Sequence, residues 1–138
     1  MKSLPRKPFY SSTTIIILFP LLIFFLNIVL ISYFGMKTID GNRIDKVLHI
    51  LGAASICFSG AGILWHLLRR KILELQDAAV FRMLVFGFVC FTMICWEIFE
   101  YILNIEPEYL TYTDTIADMI CGLIGGLVGI LFIRRPVG

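Results

Sequence analysis

IDKVLHILGAASICFSGAGILWHLL, residues 44–68, decides the fold. Its apolar run from about Val47 to Leu68 is long enough to cross a bilayer core, which takes about 20 residues of helix. Asp45, Lys46 and His49 sit at its start. Asp45, His49, Gly52, Ser55, Ser59 and Gly62 follow one another at steps of three or four, so they form one stripe on a helix. Small residues in a lipid-embedded helix mark the face that packs on another helix. The spacing therefore predicts a helical membrane bundle with His49 on a packing face.

Three more runs of the same kind flank this one, at about Thr13–Phe34, Ala79–Leu103 and Thr115–Ile133. The sequence predicts an all-α fold, a polytopic bundle of four transmembrane helices, with residues 1–138 as a single membrane domain. The composition agrees: 59% of the 138 residues are hydrophobic, against roughly 45–50% in soluble domains. Lys2, Arg6 and Lys7 precede the first run as they would in a signal peptide. That run is longer than a cleaved apolar region, so an uncleaved first span is expected.

The last span repeats the small-residue pattern. Asp114, Asp118, Gly122, Gly125 and Gly129 share a face, and Gly122/Gly126 and Gly125/Gly129 form two GxxxG pairs. These predict packing within the chain rather than a dimer seam. In the third span Glu97 and Glu100 share a face that continues through Met93, Cys90 and Phe86. The three stripes predict that spans two, three and four pack together through them, while span one, bulky on all sides, predicts a peripheral helix with Asn27 its strongly polar mid-span residue.

Nine of the twelve Lys and Arg residues fall on one side of this topology, and Lys37, Arg43 and Lys46 on the other. The positive-inside rule then places both termini in the cytoplasm of a multi-pass cell-membrane protein. The loop Asn104–Asp114 carries Glu106, Glu108 and Asp114 without a base and is expected outside. Tyr33, Trp96, Tyr101, Tyr109 and Tyr112 suit an outer aromatic belt, and Trp65 an inner one. The segment RRKILELQDAAVFR is expected along the inner interface. The net charge of +2 and the lack of a long basic run exclude nucleic acid as a partner. Cys57, Cys90, Cys95 and Cys121 lie in apolar runs without a CxxC pair and predict buried, reduced thiols.

Every acid-bearing span end lies on the same side. Charge at membrane depth costs roughly 2.5–3.5 kcal/mol per residue at the bilayer centre, less near the interface, so several acids there imply a use. Asp114 and Asp45 also suit helix first turns, where an acid complements the macrodipole. Glu97 and Glu100 close a helix C-terminus, where the macrodipole opposes them, so they need a proton, a metal or a base; Lys46 and Arg43 are the candidate bases. His66 is expected to be interfacial.

The segment IDKVLHILGAASICFSG resembles the first motif of VanZ-like membrane proteins, an Asp-Lys-x-x-His at the start of a span. WEIFEYIL and YTDTIADMICGLIGGLVG are similar both to those proteins and to the related YjdF-like membrane family. The resemblance covers Asp45, Lys46, His49, Glu97, Glu100, Asp114, Asp118, Gly122 and Gly126. VanZ-like proteins usually carry a Glu-x-x-Gln pair and an Arg before the last acid motif. Here Glu97 and Glu100 stand without that Arg, which favours the YjdF-like branch. The resemblance implies a bacterial or archaeal inner-membrane protein of the cell envelope.

The leading expectation is an outward-facing pocket that binds a cation or a polar lipid or envelope headgroup. His49 and Glu97 are its candidate catalytic groups. Asp45, Lys46, Glu100, Asp114 and Asp118 are its ligand-binding groups. Glu97, Glu100 and Asp118 are candidate oxygen ligands for Mg²⁺, Ca²⁺ or Mn²⁺. A metal-bound water would be the nucleophile of hydrolysis or transfer, with Glu97 or His49 as base. No nucleophile elbow, P-loop or HExxH is present. One alternative is a proton- or cation-coupled carrier, for which four spans give room only in a homo-oligomer. Another is a non-enzymatic membrane partner in which the acids only hold the bundle. The expected partners are membrane lipids and a small polar ligand.

Overall fold

The computed structural model describes residues 8–35, 44–103 and 112–133. A single 3₁₀ turn, Phe9–Ser11, leads into four helices: α1 Thr13–Phe34, α2 Ile44–Arg69, α3 Ala78–Leu103 and α4 Tyr112–Leu131. All four are long and apolar enough to cross a membrane. No strand occurs among the described residues. The chain is an all-α bundle of multi-pass membrane type. α2 and α4 each begin three residues earlier than their apolar runs, because the polar first turns stay helical when their charges find partners. Lys2, Arg6, Lys7, Lys37, Arg43, Arg134 and Arg135 lie outside the described residues, as do Glu106, Glu108 and Tyr109. Most of the charge asymmetry behind the expected orientation lies there with them.

α2 is the central helix and packs on all three others, while α3 also packs on α4. Among described residues no Cα of α1 comes within 8 Å of a Cα of α3 or α4. α1 is thus peripheral, as its composition predicts. Lipid is as apolar as a leucine side chain, so close backbone approach rather than hydrophobic burial holds such a bundle together.

The two GxxxG pairs of α4 serve different neighbours. A Cβ on Gly125 would collide with the Ile50 carbonyl, and one on Gly129 would sit 2.9 Å from Cys57 Cβ, so this pair faces α2. A Cβ on Gly122 would meet the end of the Met93 side chain, and one on Gly126 would lie 2.9 Å from Val89 Cγ1, so this pair faces α3. Both pairs pack within the chain.

Two expectations about faces need correction. The Gly52–Ser59–Gly62 stripe of α2 faces α1 and the N-terminal turn, not spans three and four: a Cβ on Gly62 would strike the Tyr10 carbonyl and Ile16. The face of α2 that meets α4 carries Ile50, Ala54 and Cys57 instead. On α3 the buried line runs through Phe81, Val85, Val89 and Met93, with Phe86 and Cys90 only flanking it.

Pro20 lies inside α1 and has no N–H to offer the carbonyl four residues back, that of Ile16. Ser59 of α2 donates its hydroxyl to that carbonyl at 2.8 Å. In a bilayer each freed backbone group must find a partner in the protein, and here the small-residue stripe supplies it. At the same end His66 Nε2 lies 3.1 Å from the Ser11 carbonyl. His66 is therefore tied to the N-terminal turn and is not simply interfacial. Trp65 is buried beside it, with the Arg69 guanidinium 5.3 Å above the indole, rather than in an inner belt. Tyr33, Tyr101 and Tyr112 are exposed at the opposite helix ends, as a belt requires. Residues 70–77 are turn and coil. Asp77 ends the segment by accepting the Ala79 N–H at 2.6 Å, an N-cap for α3. All four cysteines are free; Cys57 is buried but Cys95 is exposed, contrary to the expected burial.

Candidate functional site

Helical geometry brings the polar residues to one end of the bundle. α2 enters with Asp45, Lys46 and His49 in its first two turns. α4 enters beside it with Asp114 and Asp118. α3 runs the other way and closes with Glu97 and Glu100. The tight Gly125–Ile50 crossing sets α4 against α2 closely enough for their first turns to share charges.

Two halves can be told apart. In the first, Lys46 Nζ donates to Asp114 Oδ1 and to Asp118 Oδ1, each at 2.6 Å, and to Asp45 Oδ2 at 3.3 Å. One ammonium has three donors, and all three are used. Lys46 was expected to serve Glu97 and Glu100; the structure gives it to the three aspartates. Asp114 is thus an ion-pair partner as well as a first-turn acid.

The second half centres on His49. Its Nδ1 lies 3.2 Å from the Asp45 carbonyl oxygen and 3.4 Å from both Asp45 Oδ1 and Asp118 Oδ1. All three neighbours accept, so Nδ1 carries the proton. In the neutral ring Nε2 then presents a lone pair. It faces Glu97 Oε1 at 3.6 Å. Neither of these two buried atoms has a hydrogen-bond partner. Two acceptors facing each other across such a gap call for something positive between them, a proton or a cation.

The donor atoms of His49, Glu97 and Glu100 all lie within 4.8 Å of one another, and so do those of Asp45, His49 and Asp118. A metal bound about 2.1–2.4 Å from each ligand spaces neighbouring ligand atoms about 3.0–3.4 Å apart. The His49–Glu97 separation is close to that spacing. The Nδ1 contacts supply the outer support that orients a ligating imidazole. Asp118, expected among the metal ligands, is taken by Lys46, so Glu97 and Glu100 with His49 form the better set. Five carboxylates against one lysine and one histidine cannot all stay ionised without compensation, which shared protons or a cation would supply.

The serines do not extend this cluster toward the other end. Ser55 Oγ donates to the Gly52 carbonyl at 2.6 Å, and Ser59 is occupied by the Ile16 and Ser55 carbonyls. Hydroxyls bonded back onto helix carbonyls are not a relay.

Sequence reasoning did not foresee one feature of the site. A cavity of about 290 Å³ lies against His49, between α1, α2 and α3. Its signal was Gly52 and Ala53, small residues that leave room opposite Pro20 and Ile23 of α1. Comparisons with protein-family models, curated proteins and solved structures found no match to this chain.

Proposed function

We propose that this multi-pass membrane protein binds a divalent cation between His49, Glu97 and Glu100, and that the cation holds the polar headgroup of a lipid or envelope amphiphile. The observation that carries the reading is the unpartnered pair, His49 Nε2 facing Glu97 Oε1 at 3.6 Å. One nitrogen and two carboxylates suit Mn²⁺ and Mg²⁺ better than a structural zinc site, which takes four protein ligands. Three ligands leave positions open for water and for an anionic group. The membrane places headgroups at this depth. On this reading the acidic end faces outward, the termini are cytoplasmic, and the likeness to VanZ-like and YjdF-like proteins marks a shared polar end. A cation-bound water beside Glu97 would support hydrolysis or transfer on the headgroup.

A coupled carrier is the weaker reading, because Ser55 and Ser59 are tied to helix carbonyls and the polar cluster stops at His49. Equilibrium dialysis of the detergent-purified protein against Mn²⁺ tests the proposal. About one ion should bind per chain, and Glu97→Gln should lose it while keeping its helix content. Equal binding by wild type and Glu97→Gln would refute it.

A further inference from the structure

The cavity beside His49 has its own chemistry. Its walls are Pro20, Ile23 and Phe24 from α1, Gly52 and Ile56 from α2, and Met93 from α3, among others, and they are almost wholly apolar. Its volume of about 290 Å³ equals roughly ten waters at ~30 Å³ each, but its polar lining is confined to Asn27, His49, Ser55 and Thr92, and the last two give their hydroxyls to helix carbonyls. From Leu48 to Ile56 the α2 wall rises through eight residue steps, about 12 Å of helix axis at 1.5 Å per residue. The cavity therefore runs along α2, down from the polar end. Its side toward α1 and α3 borders the gap between those helices, whose Cα atoms stay more than 8 Å apart. The Phe24 and Trp96 rings bridge that gap edge to face, with centroids 5.8 Å apart. At the top of the cavity stands His49, its side chain 8% exposed, with Nε2 unpartnered opposite Glu97, itself 9% exposed.

A long apolar slot that ends at His49, whose unpartnered Nε2 meets Glu97 just beyond the slot's lining, matches the shape of an amphiphile. We infer that the slot between α1, α2 and α3 takes the hydrocarbon chain of a phosphate-bearing membrane lipid whose phosphate lies at His49, Glu97 and Glu100. The phosphate follows from the cation, since Mg²⁺-type ions are commonly held by one or two carboxylates plus substrate phosphates. The inference rests on the cation reading for its headgroup and on the cavity alone for its chain. It narrows the ligand from any polar headgroup to a lipid bearing phosphate, with a chain that enters from the bilayer through the α1–α3 gap.

Trp96 lines the slot, and the chain has only one other tryptophan, Trp65. In a Trp65→Phe background Trp96 is the sole indole, and saturation of its quenching separates the slot from the surrounding lipid. The protein is reconstituted in phosphatidylcholine vesicles containing increasing fractions of phosphatidic acid with brominated chains, which quench indole on contact. Quenching should saturate at a low fraction, with half-saturation about tenfold below that of Thr92→Phe and of Gly52→Leu, a factor worth about 1.4 kcal/mol. These two variants fill the slot from different helices and leave the polar groups in place, so at least one folded variant is available for the comparison. Unlabelled lysophosphatidic acid and farnesyl phosphate, added separately, distinguish a glycerolipid chain from an isoprenoid one. Displacement by either supports the inference, and its strength names the source. Quenching that rises in proportion to the brominated fraction in wild type, or that is unchanged by both substitutions, overturns it. Saturable quenching that persists in EDTA, in a protein that binds no Mn²⁺, would leave the slot assignment standing and refute the cation reading. Mn²⁺ binding with proportional quenching would do the reverse.

Discussion

Replacing Lys46 with methionine tests how the acidic end is held together. The ammonium is the hydrogen-bonded partner of three carboxylates. Lys46→Met keeps the length of the side chain and removes the charge. Asp118, with its side chain 5% exposed, loses a 2.6 Å contact and becomes a buried acid without its lysine. Breaking a buried pair in this way costs about 3–5 kcal/mol. Asp114 is 24% exposed, and its share is nearer the ~0.2–1 kcal/mol of surface pairs. The expected loss is therefore about 4 kcal/mol, read as the shift in unfolding free energy when the folded protein in mixed micelles is titrated with a denaturing detergent. Adding Asp114→Asn and Asp118→Asn to Lys46→Met should recover most of it, because the two closest orphaned charges are gone and Asp45 keeps His49 beside it. A loss below about 1 kcal/mol would refute the reasoning, since it would place the three carboxylates in the regime of solvated surface pairs. So would a triple variant no more stable than the single one.

Gly125→Leu should cost at least ~3 kcal/mol, because the obstacle is the Ile50 backbone, whereas Gly122→Ala should cost ~1 kcal/mol, because Met93 can swing aside. Leu127→Phe, on the exposed side of α4, should stay within ~0.5 kcal/mol in the same assay. Ser59→Ala should cost about 1–2 kcal/mol by orphaning the Ile16 carbonyl. In a Pro20→Ala background, where an N–H returns to that carbonyl, the same change should cost well under half as much. Glu108→Cys, in a chain lacking the four native cysteines, should react with an impermeant thiol reagent on intact cells; labelling only after lysis would reverse the proposed orientation.

The four spans were legible because hydropathy is a one-dimensional property, and a run from Thr13 to Phe34 without a charge can hardly be anything else in this composition. The glycines of α4 were legible as packing positions, but the single face read through Gly122, Gly125 and Gly129 divides in the structure, Gly122 and Gly126 meeting α3 while Gly125 and Gly129 meet α2. The gathering of His49, Glu97, Glu100 and Asp118 at one end followed from counting spans. What the sequence did not reveal was pairing. Nothing in the spacing says that Lys46 takes Asp114 and Asp118 and leaves Glu97 to face His49, because that depends on the rotation of α4 against α2, fixed by the Gly125–Ile50 contact. Nor does a stripe name its neighbour. Gly52, Ser59 and Gly62 were correctly read as a packing face, but the helix they pack on is α1, chosen by the carbonyl that Pro20 leaves unbonded. The slot beside His49 was hidden because a cavity is a property of three helices together.

The central claim is that His49 Nε2 is a ligand to a cation shared with Glu97. The most direct measurement is pulsed electron paramagnetic resonance of the purified protein loaded with one equivalent of Mn²⁺, read for modulation by a directly bonded imidazole nitrogen. The account predicts that modulation in wild type, its loss in His49→Ala, and its loss together with the bound ion in Glu97→Gln. Bound Mn²⁺ whose spectrum shows no nitrogen, and which His49→Ala leaves unchanged, would contradict it.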